Sequence, residues 1–218
     1  MLTFNYYGHS CFQLDDGNYR LLFDPFLTGN PAASISSDEV ETDYVLITHA
    51  HGDHIGDCYE IVKRTDATAI GIPEVMDIGD DVNTIGMNVG GTLYLPFGYV
   101  RMVPALHSAG IAGGVAVGYV VKIGGKIVYY AGDTALFGDM ELIGIRDQID
   151  YAILPIGDHY TMGIEDAARA AILLGAKNVI PVHYNTWALI KQDPEELRPL
   201  LKNAKLCVVD PGESLRMI

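Results

Sequence analysis

The chain has 218 residues, 49% of them hydrophobic and 19% charged, with a net charge of −14. This composition is too apolar for a disordered chain and sufficient for one sizeable core, and no window reaches the roughly 18 unbroken apolar residues of a membrane span. So acidic a surface repels phosphate backbones, which disfavours nucleic acid as a partner and leaves a small-molecule substrate as the expectation.

The chain opens with three predicted strands over residues 2–6, 11–14 and 19–23, the last two joined by the tight turn Asp15-Asp16-Gly17-Asn18. Asp24-Pro25 stops the third, and an irregular loop follows from Thr28-Gly29-Asn30-Pro31. Residues 44–48 form a short β-branched, apolar run that delivers His49-Ala50-His51-Gly52-Asp53-His54 at its end. A helix over 55–64, a strand over 68–72 and a short helix over 73–81 come next. Strands are expected over 92–95, 100–104, 115–123 and 126–131, with Gly124-Gly125 as a two-residue hairpin turn. The closing third alternates: a helix over 140–146, a strand over 151–155, an amphipathic helix from Ile164 stopped by Gly175, and a strand over 178–182. Asp193, Pro194 and Glu196 have the pattern of a capped helix that Pro199 distorts, and 205–209 closes the sheet. Strands first, then strands alternating with helices, occur in each half, which gives one α/β domain over residues 1–218.

Met1–Asn5 lacks the basic and long apolar regions of a leader, and only three cysteines are present, which together point to the cytoplasm. Cys11, Cys58 and Cys207 read as small buried thiols, although Cys58 lies near enough to His54 to be recruited by a soft metal.

Imidazole and carboxylate are suited to borderline divalent ions such as zinc. Residues two apart on an extended segment project the same way, so His49 and His51 can grip one ion. Asp53 and His54, after the small Gly52, face a second. His107, Asp133 and His183 each follow a predicted strand, so the same strand-end position recurs. Ions held by such a set lower the pKa of water and polarise a carbonyl or phosphoryl oxygen, which is the chemistry of hydrolysis.

His49-Ala50-His51-Gly52-Asp53-His54 followed by His107, Asp133 and His183 resembles the metallo-β-lactamase superfamily along nearly the whole chain. The resemblance implies an αββα four-layer sandwich with the metals at one edge between the sheets. It assigns His49, His51 and His107 to one ion, Asp53, His54 and His183 to another, and Asp133 to both. Gly8-His9-Ser10, Asp24-Pro25, Pro155-Ile156-Gly157-Asp158 and His183-Tyr184-Asn185-Thr186 resemble the metal-dependent hydrolase branch related to L-ascorbate-6-phosphate lactonases and the N-acylphosphatidylethanolamine phospholipase D group. The implied cofactor is two divalent ions, Zn2+ first, with Mn2+, Fe2+ and Ni2+ as other options.

Beyond the ligands, Asp53 and His9 are expected to orient the nucleophile or move a proton. His159 is expected to reach a substrate oxyanion, and Asn185 to bind substrate beside His9 and His159. Asp24 either fixes the tautomer of a ligating histidine or only forms an Asp-Pro turn. Trp187 is expected to pack in the core. The expected activity is hydrolysis of an ester, lactone, amide or phosphoester. The alternatives are a phosphodiesterase or nuclease of the same superfamily and a metal-binding regulatory protein without turnover. Oligomeric state is open, a homo-oligomer included.

Overall fold

The computed structural model describes residues 1–218. Strands β1 (Thr3–Gly8), β2 (Cys11–Asp15) and β3 (Arg20–Phe23) form an antiparallel meander. β4 (Tyr44–Leu46), β5 (Thr68–Gly71) and β6 (Asn83–Gly86) extend it in parallel, connected through α1 (Gly52–Ile55), α2 (Cys58–Thr65) and α3 (Pro73–Met76). The second sheet repeats the plan. β7 (Thr92–Leu95), β8 (Gly98–Pro104), β9 (Val117–Ile123) and β10 (Lys126–Tyr130) are antiparallel. β11 (Tyr151–Pro155), β12 (Asn178–Val182) and β13 (Lys205–Leu206) follow in parallel, with α4 (Met140–Asp147) and α5 (Ile164–Leu173) between strands. β14 (Ser214–Arg216) returns to the first sheet and pairs with β1, placing Leu215 opposite Phe4.

Period-two alternation sorts the side chains into two apolar layers. Val128 and Tyr130, Ile153 and Ile180 face Phe4, Phe12 and Phe23 between the sheets. Their neighbours Tyr129, Ala152, Leu154 and Val179 face outward onto α4 and α5. Both faces of the second sheet are therefore apolar, as a mostly covered sheet requires. Ring packing fixes the inner layer, with Phe12 and Phe23 stacked at 4.5 Å and Tyr130 edge-on to Phe12 at 4.9 Å. Each such buried ring contributes roughly 1.5–3 kcal/mol by removal from water. The result is the expected αββα sandwich.

Three expectations need correction. The helix over 55–64 is broken into α1 and α2 at Gly56, which has φ 38°. A Cβ there would sit 2.3 Å from the Pro25 carbonyl oxygen, and the Asp57 N–H donates to that same oxygen, so packing of the Asp24-Pro25 loop imposes the break. The helix from Pro73 stops at Met76, and β6 follows on the sheet edge. The segment after Asp193 is a 3-10 helix, Pro194–Leu200, capped by the Asp193 carboxylate accepting from Glu195 N–H at 3.0 Å, with Pro199 inside it.

Candidate metal centre

All the expected donors lie at one edge of the sandwich because the strands that carry them run in one direction. β1, β3 and β4 point the same way in the first sheet, and β8, β10, β11 and β12 do so in the second. His9 follows β1, the His49–His54 segment follows β4, and His107, Asp133 and His183 follow β8, β10 and β12. A backbone hydrogen bond from His183 N–H to the His9 carbonyl, 2.9 Å, ties the two sheets together at this edge. Ligand sites beyond the carboxyl ends of strands are a general property of such sheets.

The nitrogen and carboxylate atoms converge in two groups. His49, His51 and His107 form one, with His49 Nε2 and His51 Nδ1 3.0 Å apart. Asp53, His54 and His183 form the other, and His9 joins them. Asp133 stands between: its Oδ1 is 3.3 Å from His54 Nε2, and its Oδ2 is 3.2 Å from His183 Nε2, 3.5 Å from His107 Nε2 and 4.0 Å from His49 Nε2. Four ligands at about 2.0–2.1 Å from a tetrahedral zinc lie about 3.3 Å from one another, so these separations suit donors around a shared ion. His54 Nε2 and Asp133 Oδ1 are buried and close, yet neither makes a hydrogen bond. Such orphaned atoms are expensive inside a protein unless something else satisfies them, and a cation does so. The residues fit divalent metal.

Asp24 organises the centre from behind. Its buried carboxylate accepts from Thr48 N–H (2.8 Å), the Thr48 hydroxyl (2.7 Å), the Tyr130 hydroxyl (2.7 Å) and His54 Nδ1 (2.7 Å). A buried carboxylate without partners would cost several kcal/mol, whereas four charge-assisted bonds make this one tolerable. Because Nδ1 carries the proton toward Asp24, the lone pair of Nε2 is turned toward Asp133 and is free for a cation. Of the two sequence readings of Asp24, the geometry gives the tautomer-fixing one.

Burial pulls His49 down to about 3, with the neighbouring His54 adding to it, so the His49 imidazole is neutral at pH 7. Burial likewise takes His9 to about 4, against the opposing effect of its hydrogen bond to the Asp53 carboxylate. His54 behaves otherwise. Burial disfavours its charge, but Asp133 and Asp24 on its two sides outweigh burial and hold it well above the ordinary histidine value. The Asp133 carboxyl is held well below the usual carboxylate range: burial raises it, and His54 and His183 more than reverse that.

A cleft of about 430 Å³ opens over the donors and is walled by Ser108, Tyr160 and Trp187. His9 lies beneath it. Its Nε2 is 3.2 Å from Asp53 Oδ2 and its Nδ1 is 2.8 Å from the Thr186 hydroxyl. An N–H toward the carboxylate puts the proton on Nε2, so Nδ1 accepts from Thr186. His159 and Asn185 are exposed and do not line the cleft. His159 instead packs edge-on behind Tyr160 at 4.5 Å, and the Asn185 side chain accepts from Gln192 N–H at 2.9 Å. Trp187 is not a core residue: it is 39% exposed on the cleft wall. Cys58 is buried in α2 against the core, apart from the donors. Sequence reasoning missed Tyr160, Ser108 and Thr186. Ser108 adjoins His107, a usable signal, and Thr186 closes the His183-Tyr184-Asn185-Thr186 motif, which marked the segment without giving the threonine a role.

This two-sheet fold and His/Asp cluster define the metallo-β-lactamase class, and the family model described as the beta-lactamase superfamily domain matches residues 19–184. A UPF0173 metal-dependent hydrolase of Natranaerobius thermophilus is 46% identical over 221 residues, covering 99% of this chain and 100% of its own. One from Thermococcus kodakarensis is 44% identical over 226 residues, with 100% of both chains covered. Among solved structures, Igni18, a metallo hydrolase of Ignicoccus hospitalis, has a TM-score of 0.91 at 39% identity, with 98% of this chain and 97% of its own covered. The chain belongs to the beta-lactamase superfamily, within its UPF0173 metal-dependent hydrolases. No helix is long and apolar enough to cross a membrane.

Proposed function

We propose that the protein, acting as one domain over residues 1–218, hydrolyses an ester, lactone, amide or phosphoester at a dinuclear centre for which zinc is the best-suited ion. The observation that carries this reading is the convergence of seven donors from four strand ends into two groups with Asp133 between them. His49, His51 and His107 would hold one ion and Asp53, His54 and His183 the other. Bound there, divalent ions supply an acidified water and a Lewis-acid partner for the oxygen of the scissile group.

The chain's own residues do the rest. Asp53, hydrogen-bonded through Oδ2 to His9, orients the nucleophile and receives its proton. His9 holds a proton on Nε2 against that oxygen while Thr186 fixes the ring from the other side. Trp187 and Tyr160 form walls of the cleft. Three buried free thiols suit the cytoplasm, where they stay reduced. A nuclease reading finds little support, because none of the 14 Lys and Arg residues lines the cleft.

The test is removal and return of metal. Chelation followed by dialysis should abolish turnover on a panel of esters, lactones and phosphoesters, and two equivalents of Zn2+ should restore it. Full activity in the stripped protein would exclude this chemistry.

A further inference from the structure

We infer that the cleft takes an uncharged carbonyl substrate, an ester or lactone, whose apolar or aromatic arm lies against Trp187 and Tyr160. This rests on the hydrolase reading above and narrows it, setting anionic phosphoesters aside.

Charge comes first. An anionic phosphoester presents oxygens beyond those a metal centre can reach, and proteins meet these with Arg, Lys or a helix N-terminus. Of the 14 Lys and Arg side chains none lines this cleft, and its only ionised side chains other than histidine are the carboxylates Asp53 and Asp133. Trp187 and Tyr160 line the cleft where cations would be needed. Aromatic faces carry the negative part of a ring quadrupole and are poor neighbours for an anion.

The aromatic walls are also braced. Trp187 meets the His9 ring edge-on at 4.8 Å and lies 6.2 Å from Phe26. Its loop is pinned by Asn185 N–H to the Ile190 carbonyl, 2.9 Å, and by Gln192 N–H to the Asn185 side chain, 2.9 Å. Tyr160, 52% exposed, has the His159 ring behind it. It stands on a tight turn closed by the Asp158 N–H donating to the Met162 carbonyl at 3.0 Å. His159 and Asn185 thus act as positioning residues for the two walls. Leu106 beside His107, Ile111 in the same loop and Leu189 beside Trp187 are 55%, 41% and 60% exposed. Single exposed apolar residues mean little, but several on the loops of one mouth mark a surface that receives apolar matter.

The reaction adds water across the acyl C–O bond. The water oxygen joins the carbonyl carbon, the bond to the alkoxy oxygen breaks, and the second proton goes to that oxygen, giving acid and alcohol.

The experiment uses the metal-loaded protein and three substrates with one leaving group: 4-nitrophenyl acetate, 4-nitrophenyl 3-phenylpropanoate and bis(4-nitrophenyl) phosphate. The phenylpropanoate should exceed both others in kcat/KM by at least about tenfold, the scale of apolar-pocket discrimination. Trp187→Ala and Tyr160→Ala should each lose about tenfold more on the phenylpropanoate than on the acetate. A diester turned over faster than the esters, or equal losses on the two esters, overturns the inference. Because Trp187 is the single tryptophan, its emission also reports binding without turnover. The unreactive ketone 4-phenyl-2-butanone should quench it saturably and more tightly than phenyl phosphate. Quenching with no hydrolysis of any substrate would reject the hydrolase reading yet support this substrate class, and tighter quenching by phenyl phosphate would overturn it.

Discussion

His54 Nδ1 lies 2.7 Å from Asp24 Oδ2, with both side chains fully buried and 30 residues apart in sequence. This contact orients the histidine whose other nitrogen faces Asp133. Asp24→Asn replaces an acceptor-only group with one that can donate toward His54, and leaves Nε2 without a fixed tautomer. Zinc affinity at the His54 position should fall by about 10–100-fold, the usual effect of losing such a partner. Metal competition titration of wild type and variant is the check; equal affinities would remove Asp24 from the centre.

In the metal-free protein His54 sits between Asp133 and Asp24, which raise its pKa well above the ordinary histidine value and favour its protonated form. Metal uptake must displace that proton. Zinc binding should therefore release about one proton at this residue, and binding should tighten as pH rises toward the raised pKa of His54. Calorimetry in buffers of different ionisation enthalpy reads the number directly. Absence of release would mean His54 is neutral before metal arrives.

Acid stability of the stripped protein follows from the same groups. His49 at about 3 and His9 at about 4 lie below their unfolded value, so between about pH 6.5 and 4 the unfolded chain binds more protons and stability falls on acidification. Asp24 and Asp133 are also lowered, and their contribution is lost as pH falls below about 3.9. His54 alone opposes, since a raised pKa gives its full contribution below about pH 6.5. The net expectation is a Tm that drops steadily from pH 6.5 to 4; a Tm flat across that range would contradict it.

His9 has φ 58°, a conformation that Asn tolerates better than most residues. His9→Asn keeps the backbone and removes the imidazole beside Asp53. If His9 serves proton transfer, kcat should drop by about 100-fold with metal content unchanged. Loss of an ion from the variant would instead make His9 a ligand.

Gly110 has φ 70°, and a Cβ there would approach His51 Cδ2 at 2.7 Å and His51 N at 2.8 Å. Gly110→Ala therefore combines backbone strain with displacement of a donor, for about 1–3 kcal/mol of stability. Zinc binding by the group containing His51 and His107 should weaken together with Tm. A variant with unchanged Tm and affinity would show that the 105–116 loop yields freely.

Much of the fold could be read from local pattern. β11 and β12 fall on their predicted residues because their apolar runs are bounded by turn residues. Gly124 and Gly125, at φ 55° and 78°, make the expected two-residue turn. β6 escaped notice because Asn83-Thr84-Ile85-Gly86 is an edge strand with one apolar residue and no buried face. β14 escaped because three residues carry no period, and its partner β1 is at the other end of the chain.

The sequence by itself determined the donor types, their strand-end positions and hence the class of chemistry, since ligand identity and period-two patterning are local properties. Only the tertiary structure decided that His9 meets Thr186 across 177 residues, that Asp24 braces His54, and that Trp187 stands in the cleft rather than the core. Those relationships depend on how two sheets meet at one edge, and contacts between distant residues leave no period or spacing in the chain.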